Sequence, residues 1–306
     1  MADQDPWLVA EAAALSAGVT LRELDRADDG FRIDEVTRAI WGTSEVAPPL
    51  ARAMQHAGAI LVGAEAPTGE LVGCALGFIA YRDGWHCHSH LAAVLPRFEG
   101  RGVGRALKLG QRAACLALGV PEMRWTYDPL LVRNAWFNLV RLGAVATAFL
   151  SDFYGAMDDL QNQGDRGDRL EVRWWLPAPS ASRQGCCRGG PRLLDAVEVA
   201  GRLEPHLTDA DPGERAEIQI PPDYPRLRRE SPDLASRWRS AAAAAFTRGF
   251  AAGLVATAIS REGVYRLTRP QPSSPVGLHP AAAGGVPSPP GCTIPRSEAD
   301  QPGGSP

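Results

Sequence analysis

Between Ala92 and Lys108 the chain passes from an apolar, strand-like run through Pro96 into Glu99-Gly100-Arg101-Gly102-Val103-Gly104-Arg105, and from there directly into a helical pattern. A strand that reaches a helix through three closely spaced glycines constrains the architecture more than any other stretch. Glycine takes positive φ without steric cost, so Gly100, Gly102 and Gly104 predict a backbone that can turn left-handed and approach a ligand closely. The first N–H groups of the following helix have no intrahelical partner, and the helix dipole favours negative charge there. Arg101 and Arg105 can add charge-assisted hydrogen bonds. The segment therefore predicts a phosphate site, with a turn that holds no ligand as the competing reading. A dinucleotide site fits poorly. It needs a parallel βαβ unit and an acid about 20 residues further on, whereas this turn follows hairpin-like strands and Glu122 is the nearest acid.

Periodicity orders the rest of the N-terminal half. Val19–Asp25 suits a strand, and Phe31–Trp41 and Pro48–Ala57 suit short helices. Ala59–Ala64 and Glu70–Tyr81 pair around a Pro-Thr-Gly turn, followed by a strand at Trp85–Leu95. A helix over Val103–Gly119 precedes a strand at Glu122–Tyr127, and Val132–Leu142 is helical up to Gly143. Ala144–Tyr154 and Leu170–Leu176 complete a mixed α/β set of elements. The chain divides into an N-terminal segment (1–18), a domain (19–177), a Pro/Ser/Gly/Arg-containing linker (178–215), a C-terminal α/β extension (216–268) and a tail (269–306). In the extension, Ser231-Pro232-Asp233 starts a helix, and Gly253–Ile259 with Val264–Thr268 predicts a hairpin. This segment is either a small second domain or a layer packed on the first sheet. Of the 37 residues from Pro270 to Pro306, 16 are Pro or Gly, so disorder is expected.

Composition narrows the function classes. A net charge of −3 carries no nucleic-acid footprint. The alanine-rich Ala241–Ile259 stretch is broken by Thr247 and Arg248, too polar for a membrane span. The six cysteines form no C-x-x-C pair and the start lacks a basic secretory n-region, so a reduced, cytoplasmic chain is expected. Of the 32 basic residues only Lys108 is a lysine, which reads as codon bias.

Glu99-Gly100-Arg101-Gly102-Val103-Gly104 resembles the Q/R-x-x-G-x-G/A motif of the GNAT family of N-acyltransferases, and Ala92-Ala93-Val94-Leu95-Pro96 resembles the strand end before it. Met123–Tyr127 followed by Arg133-Asn134-Ala135-Trp136-Phe137 and Leu142-Gly143-Ala144 is similar to the second half of the signature. The resemblance covers about residues 19–177 and implies an α/β (α+β) fold: a mixed, mainly antiparallel sheet flanked by helices. It implies an acyl-CoA-dependent acyltransferase that uses acetyl-CoA or a related thioester, needs no metal, and transfers the acyl group directly to a small-molecule or peptide amine. A non-catalytic acyl-CoA sensor of the same fold is the alternative. Nucleic acid and membrane are not expected partners, and the oligomeric state, a homodimer included, stays open. The diphosphate would lie on Gly100, Arg101, Gly102, Val103, Gly104 and Arg105. Pantetheine would pair with backbone at Ala93, Val94 and Leu95 inside a V-shaped splay of two strands, and Asn134 would bond its arm. Two positions depart from the pattern. Glu99 brings a carboxylate to the turn, which is repulsive unless it points away. Leu139 stands where the family often has a tyrosine that serves as general acid.

Acylation of an amine is helped by a base. His86, His88 and His90 share one strand face. By alignment His88 falls where some family members carry a catalytic glutamate, and His90 lies one step nearer the thioester. A neutral imidazole suits the base role. Ordinary half-buried strand histidines and a zinc site are the competing readings. Tyr127 and Asp128 are the candidates to replace the missing acid, against a simple strand-ending turn before Pro129. Ser151–Tyr154 and residues 162–169 are candidate substrate-side walls.

Overall fold

The computed structural model of the chain describes residues 5–155, 165–177 and 189–270. Helix α1 (Pro6–Ser16) leads into strand β1 (Thr20–Glu23), helices α2 (Asp29–Trp41) and α3 (Pro48–His56), and strands β2 (Ile60–Glu65), β3 (Leu71–Tyr81) and β4 (Trp85–Val94). Helix α4 (Val103–Ala117), strand β5 (Glu122–Tyr127) and the single-turn helix α5 (Val132–Ala135) follow, continued by a π-helix at Trp136–Arg141. Strands β6 (Val145–Leu150), β7 (Arg169–Trp175), β8 (Arg192–Val199), β9 (Arg202–Leu207) and β10 (Arg215–Gln219) precede helices α6 (Tyr224–Glu230) and α7 (Pro232–Ala251). Strands β11 (Val255–Ile259) and β12 (Val264–Thr268) end the described chain.

All described strands join one twelve-stranded sheet in the order β1-β2-β3-β4-β5-β7-β6-β11-β12-β10-β8-β9. Only β4/β5 and β8/β10 pair in parallel. The strands of the C-terminal segment continue the first sheet edge to edge. The junction itself is slight: β6 and β11 share a single register pair, Ala146 with Ala256. Side-chain packing reinforces it, with Phe149 of β6 stacked on Phe246 of α7 at 6.2 Å between ring centroids.

Several elements differ from the sequence reading. Residues 192–207, inside the expected linker, form the β8–β9 hairpin, whose apolar alternation is concealed by five charged residues among the fourteen of the two strands. The expected N-terminal segment is mostly helix α1. Asp5 caps it by accepting a 2.9 Å hydrogen bond from the Trp7 N–H, and Pro6 stands at its first position. The helix predicted over 132–142 is α-helical for one turn only. Leu142 N–H then donates to the Phe137 carbonyl five residues back, the signature of a π-turn. The strand predicted to reach Tyr154 stops at Leu150, because Asp152 takes a positive φ of 46° and its N–H is held by the Asp168 carboxylate at 3.0 Å. Residues 156–164, most of the 178–215 linker's N-terminal part and nearly all of the expected tail lie outside the described residues.

Candidate active site

Strand alternation sets the two faces of β4. Cys87, Ser89 and Leu91 point to α4, where the Ser89 hydroxyl donates to Gln111 Oε1 at 2.8 Å. His86, His88 and His90 point to the other face beside Phe78, with His88 5.1 Å from the Phe78 ring. β4 and β5 hydrogen-bond side by side only at Cys87–Met123 and His88–Arg124, and then part. From Ser89 onward on β4 and from Trp125 onward on β5, the facing edges form an open fork. At the same level the β3/β4 ladder shifts register between Leu76 and Gly77, leaving His90 as an extra residue of a bulge.

The fork's mouth corrects one expectation. The Leu95 N–H is taken by the Val72 carbonyl at 2.9 Å, so the antiparallel alternation turns the backbone groups of Leu95 and Ala93 toward β3. Of Ala93, Val94 and Leu95, Val94 alone turns its N–H and C=O toward the open edge.

Beyond the fork the chain makes the 3₁₀ turn Pro96–Phe98 and reaches the glycines. Gly100 and Gly102 have φ of 74° and 99°, the conformations that need glycine. Gly104 does not: it sits inside α4 with ordinary helical backbone, so its expected positive φ is not found. Gly102 caps α4, and the exposed Arg101 stacks its guanidinium 5.2 Å over Phe98. Glu99 turns to Arg133, whose Nη1 donates to it at 2.6 Å, so its charge is paired beside the turn. Asn134 is exposed on α5, one residue on from that pair.

α1 lies over the turn. Leu8, Ala12 and Ser16 form one wall of a groove of about 470 Å³ whose other wall carries Arg101, Arg105 and Arg141. No carboxylate lies within ion-pair distance of any of these three arginines among the described residues. Burial and the neighbouring Arg141 both lower the proton affinity of Arg105. Cations without a carboxylate partner beside a helix N-terminus favour negative charge in the groove. Arg141 was not singled out in the sequence, since it closes a helix 36 residues beyond Arg105.

On the opposite face a second cavity, about 240 Å³, lies over the fork's closed end, lined by Phe78, His86, His88, Thr126, Phe153 and Glu171 among others. Burial first, then His90, His86 and Lys108, pushes His88 down to about 4, so its imidazole is neutral at physiological pH. His90 is exposed, its proton affinity lowered by burial of its ring and partly restored by Glu45. His86 is buried, with Nδ1 3.1 Å from the Gly84 carbonyl oxygen. Among the described residues no group of three or more His, Cys, Asp or Glu is arranged to hold a metal ion.

Tyr127 and Asp128 are placed elsewhere than the acid role requires. Tyr127 is 5% exposed; burial raises its phenol well above the usual range, and its oxygen lies 3.4 Å from that of Tyr265 on β12. Asp128 accepts two hydrogen bonds from Arg239 of α7, at 2.8 and 2.9 Å, and one from the Leu130 N–H at 2.8 Å. Both residues fasten the C-terminal layer to the end of β5. Leu139 is fully buried in the core, so its position offers no hydroxyl either. Lys108 on α4, in contrast, reaches the fork. Its Nζ donates to Ser89 Oγ at 2.7 Å and lies 4.0 Å from the centroid of the Trp125 ring.

Comparison with known proteins adds to this geometry. Residues 24–126 match the family model of the acetyltransferase (GNAT) family. No curated protein matches the chain. Among solved structures, a GNAT superfamily phosphinothricin acetyltransferase from Sinorhizobium meliloti, in complex with AcCoA, is 19% identical, with 52% of this chain and 89% of that one covered at a TM-score of 0.44. The ribosomal-protein-S18-alanine N-acetyltransferase from Escherichia coli is 14% identical, with 55% and 99% covered at a TM-score of 0.42.

Proposed function

We propose, from the premise that residues 24–126 form a domain of the GNAT acetyltransferase family, that the chain is an acyl-CoA-dependent N-acyltransferase, passing an acetyl or related acyl group directly from coenzyme A to an amine. The observation that carries this reading is the fork between β4 and β5, which opens directly onto the glycine turn and its three unpaired arginines. The amides of Gly100–Gly104, together with the Arg101, Arg105 and Arg141 side chains, would hold the phosphates of the coenzyme; the Arg105 amide itself is taken by the Gly102 carbonyl at 3.0 Å. The inward-facing backbone of Val94 would pair with the pantetheine arm, with Asn134 at its flank. A backbone N–H at the His90 bulge, where the strand departs from the regular ladder, would suit a developing oxyanion, since fixed donors in a water-poor site need no reorganisation.

The acceptor would enter from the cavity on the opposite face. A volume of about 240 Å³ suits a small amine or the end of a peptide, and Glu171, 3.7 Å from Arg82, is the carboxylate of its lining. His88, neutral and at the closed end of the fork, would take the proton the amine loses. A cytoplasmic setting, where thiols such as Cys74, Cys87 and Cys115 remain reduced, is consistent with this chemistry.

Calorimetric titration with coenzyme A tests the reading. The wild-type chain should bind, and Gly102→Glu should not, because a side chain at φ of 99° is strained and its carboxylate enters the anion groove. Equal affinity of the two proteins would refute the site. Turnover on a panel of amines then separates an enzyme from a chain that only binds the thioester.

A further inference from the structure

The fork contains two buried donor groups whose hydrogen bonding is incomplete. Lys108 is 3% exposed. Its ammonium has three N–H bonds, and one reaches Ser89 Oγ; no acceptor for the other two is found among the described residues. One turn further along α4, the Gln111 Nε2 is buried without any partner, although its Oε1 accepts from Ser89. Buried donors without acceptors are costly, and their persistence points to a ligand atom that completes them. Their location is specific. Ser89 is the first residue of β4 past the last paired position, and Trp125, whose ring Lys108 touches, is the first on β5. The Lys108 nitrogen therefore stands where the strands part, the place the proposed function gives to the thioester.

We infer that Lys108 is the proton donor to the coenzyme A sulfur as it leaves; this rests on the acyltransferase reading above. As the acceptor nitrogen bonds to the carbonyl carbon, the carbon–sulfur bond breaks and its electron pair passes to sulfur. A proton moves from Lys108 Nζ to that sulfur, and the acceptor nitrogen gives one to His88. Exchange with water returns a proton to Lys108 and removes one from His88, so the balance is acyl-CoA plus amine to amide plus free thiol. Gln111 Nε2 is a positioning group beside the same sulfur.

Two features support the lysine. The chain has 32 basic residues and this is the single one that is not arginine. Arginine cannot release a proton near neutral pH, whereas a buried lysine can. Burial pushes Lys108 down to about 7, against the opposing pull of Cys87 on β4 and Cys115 on its own helix. His88, on the far face of β4, is the other titratable group that feels it. The position where a tyrosine would serve is occupied by buried Leu139, so the donor comes from a different helix.

A single lysine makes the test direct. With ¹⁵N-lysine incorporated, the side chain gives one resonance. It should titrate with a midpoint near 7 and shift when coenzyme A is added, but not with adenosine 3′,5′-bisphosphate, which lacks the pantetheine arm. Lys108→Arg should lower kcat by about 100-fold or more, a typical loss for a general acid, while the Kd for coenzyme A changes less than about twofold. The wild-type kcat should fall as pH rises through about 7, and the arginine variant should lose that limb. A lysine that titrates near its ordinary value, a resonance indifferent to bound coenzyme A, an acyl adduct on Lys108 in intact-mass spectra, or full turnover by Lys108→Arg would overturn the inference. The resonance is read on the wild-type protein, so a variant that fails to fold leaves the test standing. If coenzyme A does not bind at all, the acyltransferase reading falls with it.

Discussion

Replacing Arg239 with methionine should destabilise the chain more than any surface substitution, and the structure sets the scale. The guanidinium is 3% exposed and holds Asp128 at 2.8 and 2.9 Å. It also reaches Asp165 at 2.5 and 3.2 Å and lies over the Tyr224 ring at 4.8 Å. Removing one partner of a buried ion pair costs about 3–5 kcal/mol, because the other charge is left uncompensated. Asp165 keeps the Tyr224 hydroxyl at 2.8 Å and Arg228 at 3.7 Å, but Asp128 keeps only a backbone N–H, so about 3 kcal/mol is expected. Urea unfolding followed by tryptophan fluorescence measures it through the midpoint at constant slope. The sign of the pH dependence also follows. Burial opposes ionisation of Asp165, yet the Arg239 bonds prevail and hold its carboxyl below the usual range. Stability from that pairing is complete above the ordinary carboxylate range and is lost as pH falls through the folded value. The gap between wild type and Arg239→Met should therefore narrow in acid. A variant within about 1 kcal/mol of wild type at neutral pH, or a gap that widens on acidification, would refute the account.

Two further outcomes test the site. Arg141→Ala should weaken coenzyme A binding about tenfold, consistent with loss of one partly exposed charge-assisted bond, and the difference should shrink with added salt; titration at two ionic strengths measures both. His88→Ala should slow turnover with coenzyme A affinity preserved. The wild-type profile should show no rise in activity as pH increases through the usual imidazole value, since His88 is pushed down to about 4, so the fall near 7 assigned to Lys108 is the one limb expected; stopped-time assays between pH 5 and 9 check this (a range set by about one unit above the His88 value).

The sequence made the strand–glycine–helix unit legible because each part leaves a local mark: apolar alternation, positive φ at Gly100 and Gly102, and helical spacing after Val103. The order of elements from β1 to β7 was readable for the same reason. What escaped depended on distance along the chain or on weak local signals. Nothing near Asp128 indicates that its carboxylate belongs to Arg239, 111 residues later. In α1 apolar residues stand on all sides, with the large Leu8 and Leu15 exposed and the small Ala10 and Ala14 buried, so its packing over the glycine turn leaves little periodicity to detect. Gly104 shares the spacing of its neighbours, yet its φ is decided by its place inside the helix rather than by its residue type. Lys108 was visible as a lone lysine, but only the packing of α4 on β4 and β5 brings its nitrogen to the fork.

The strands added after β6 have a bearing on how copies of this chain can associate. A β-sheet offers a whole strand's length of unpaired backbone groups along its two outermost strands, and those are where another chain can attach by strand addition. Here β6 is interior, since β11 lies against it, and the outermost positions have moved to β1 and β9. A second copy cannot prolong the sheet from β6 without first dislodging β11, so assembly by that route is closed to the folded chain.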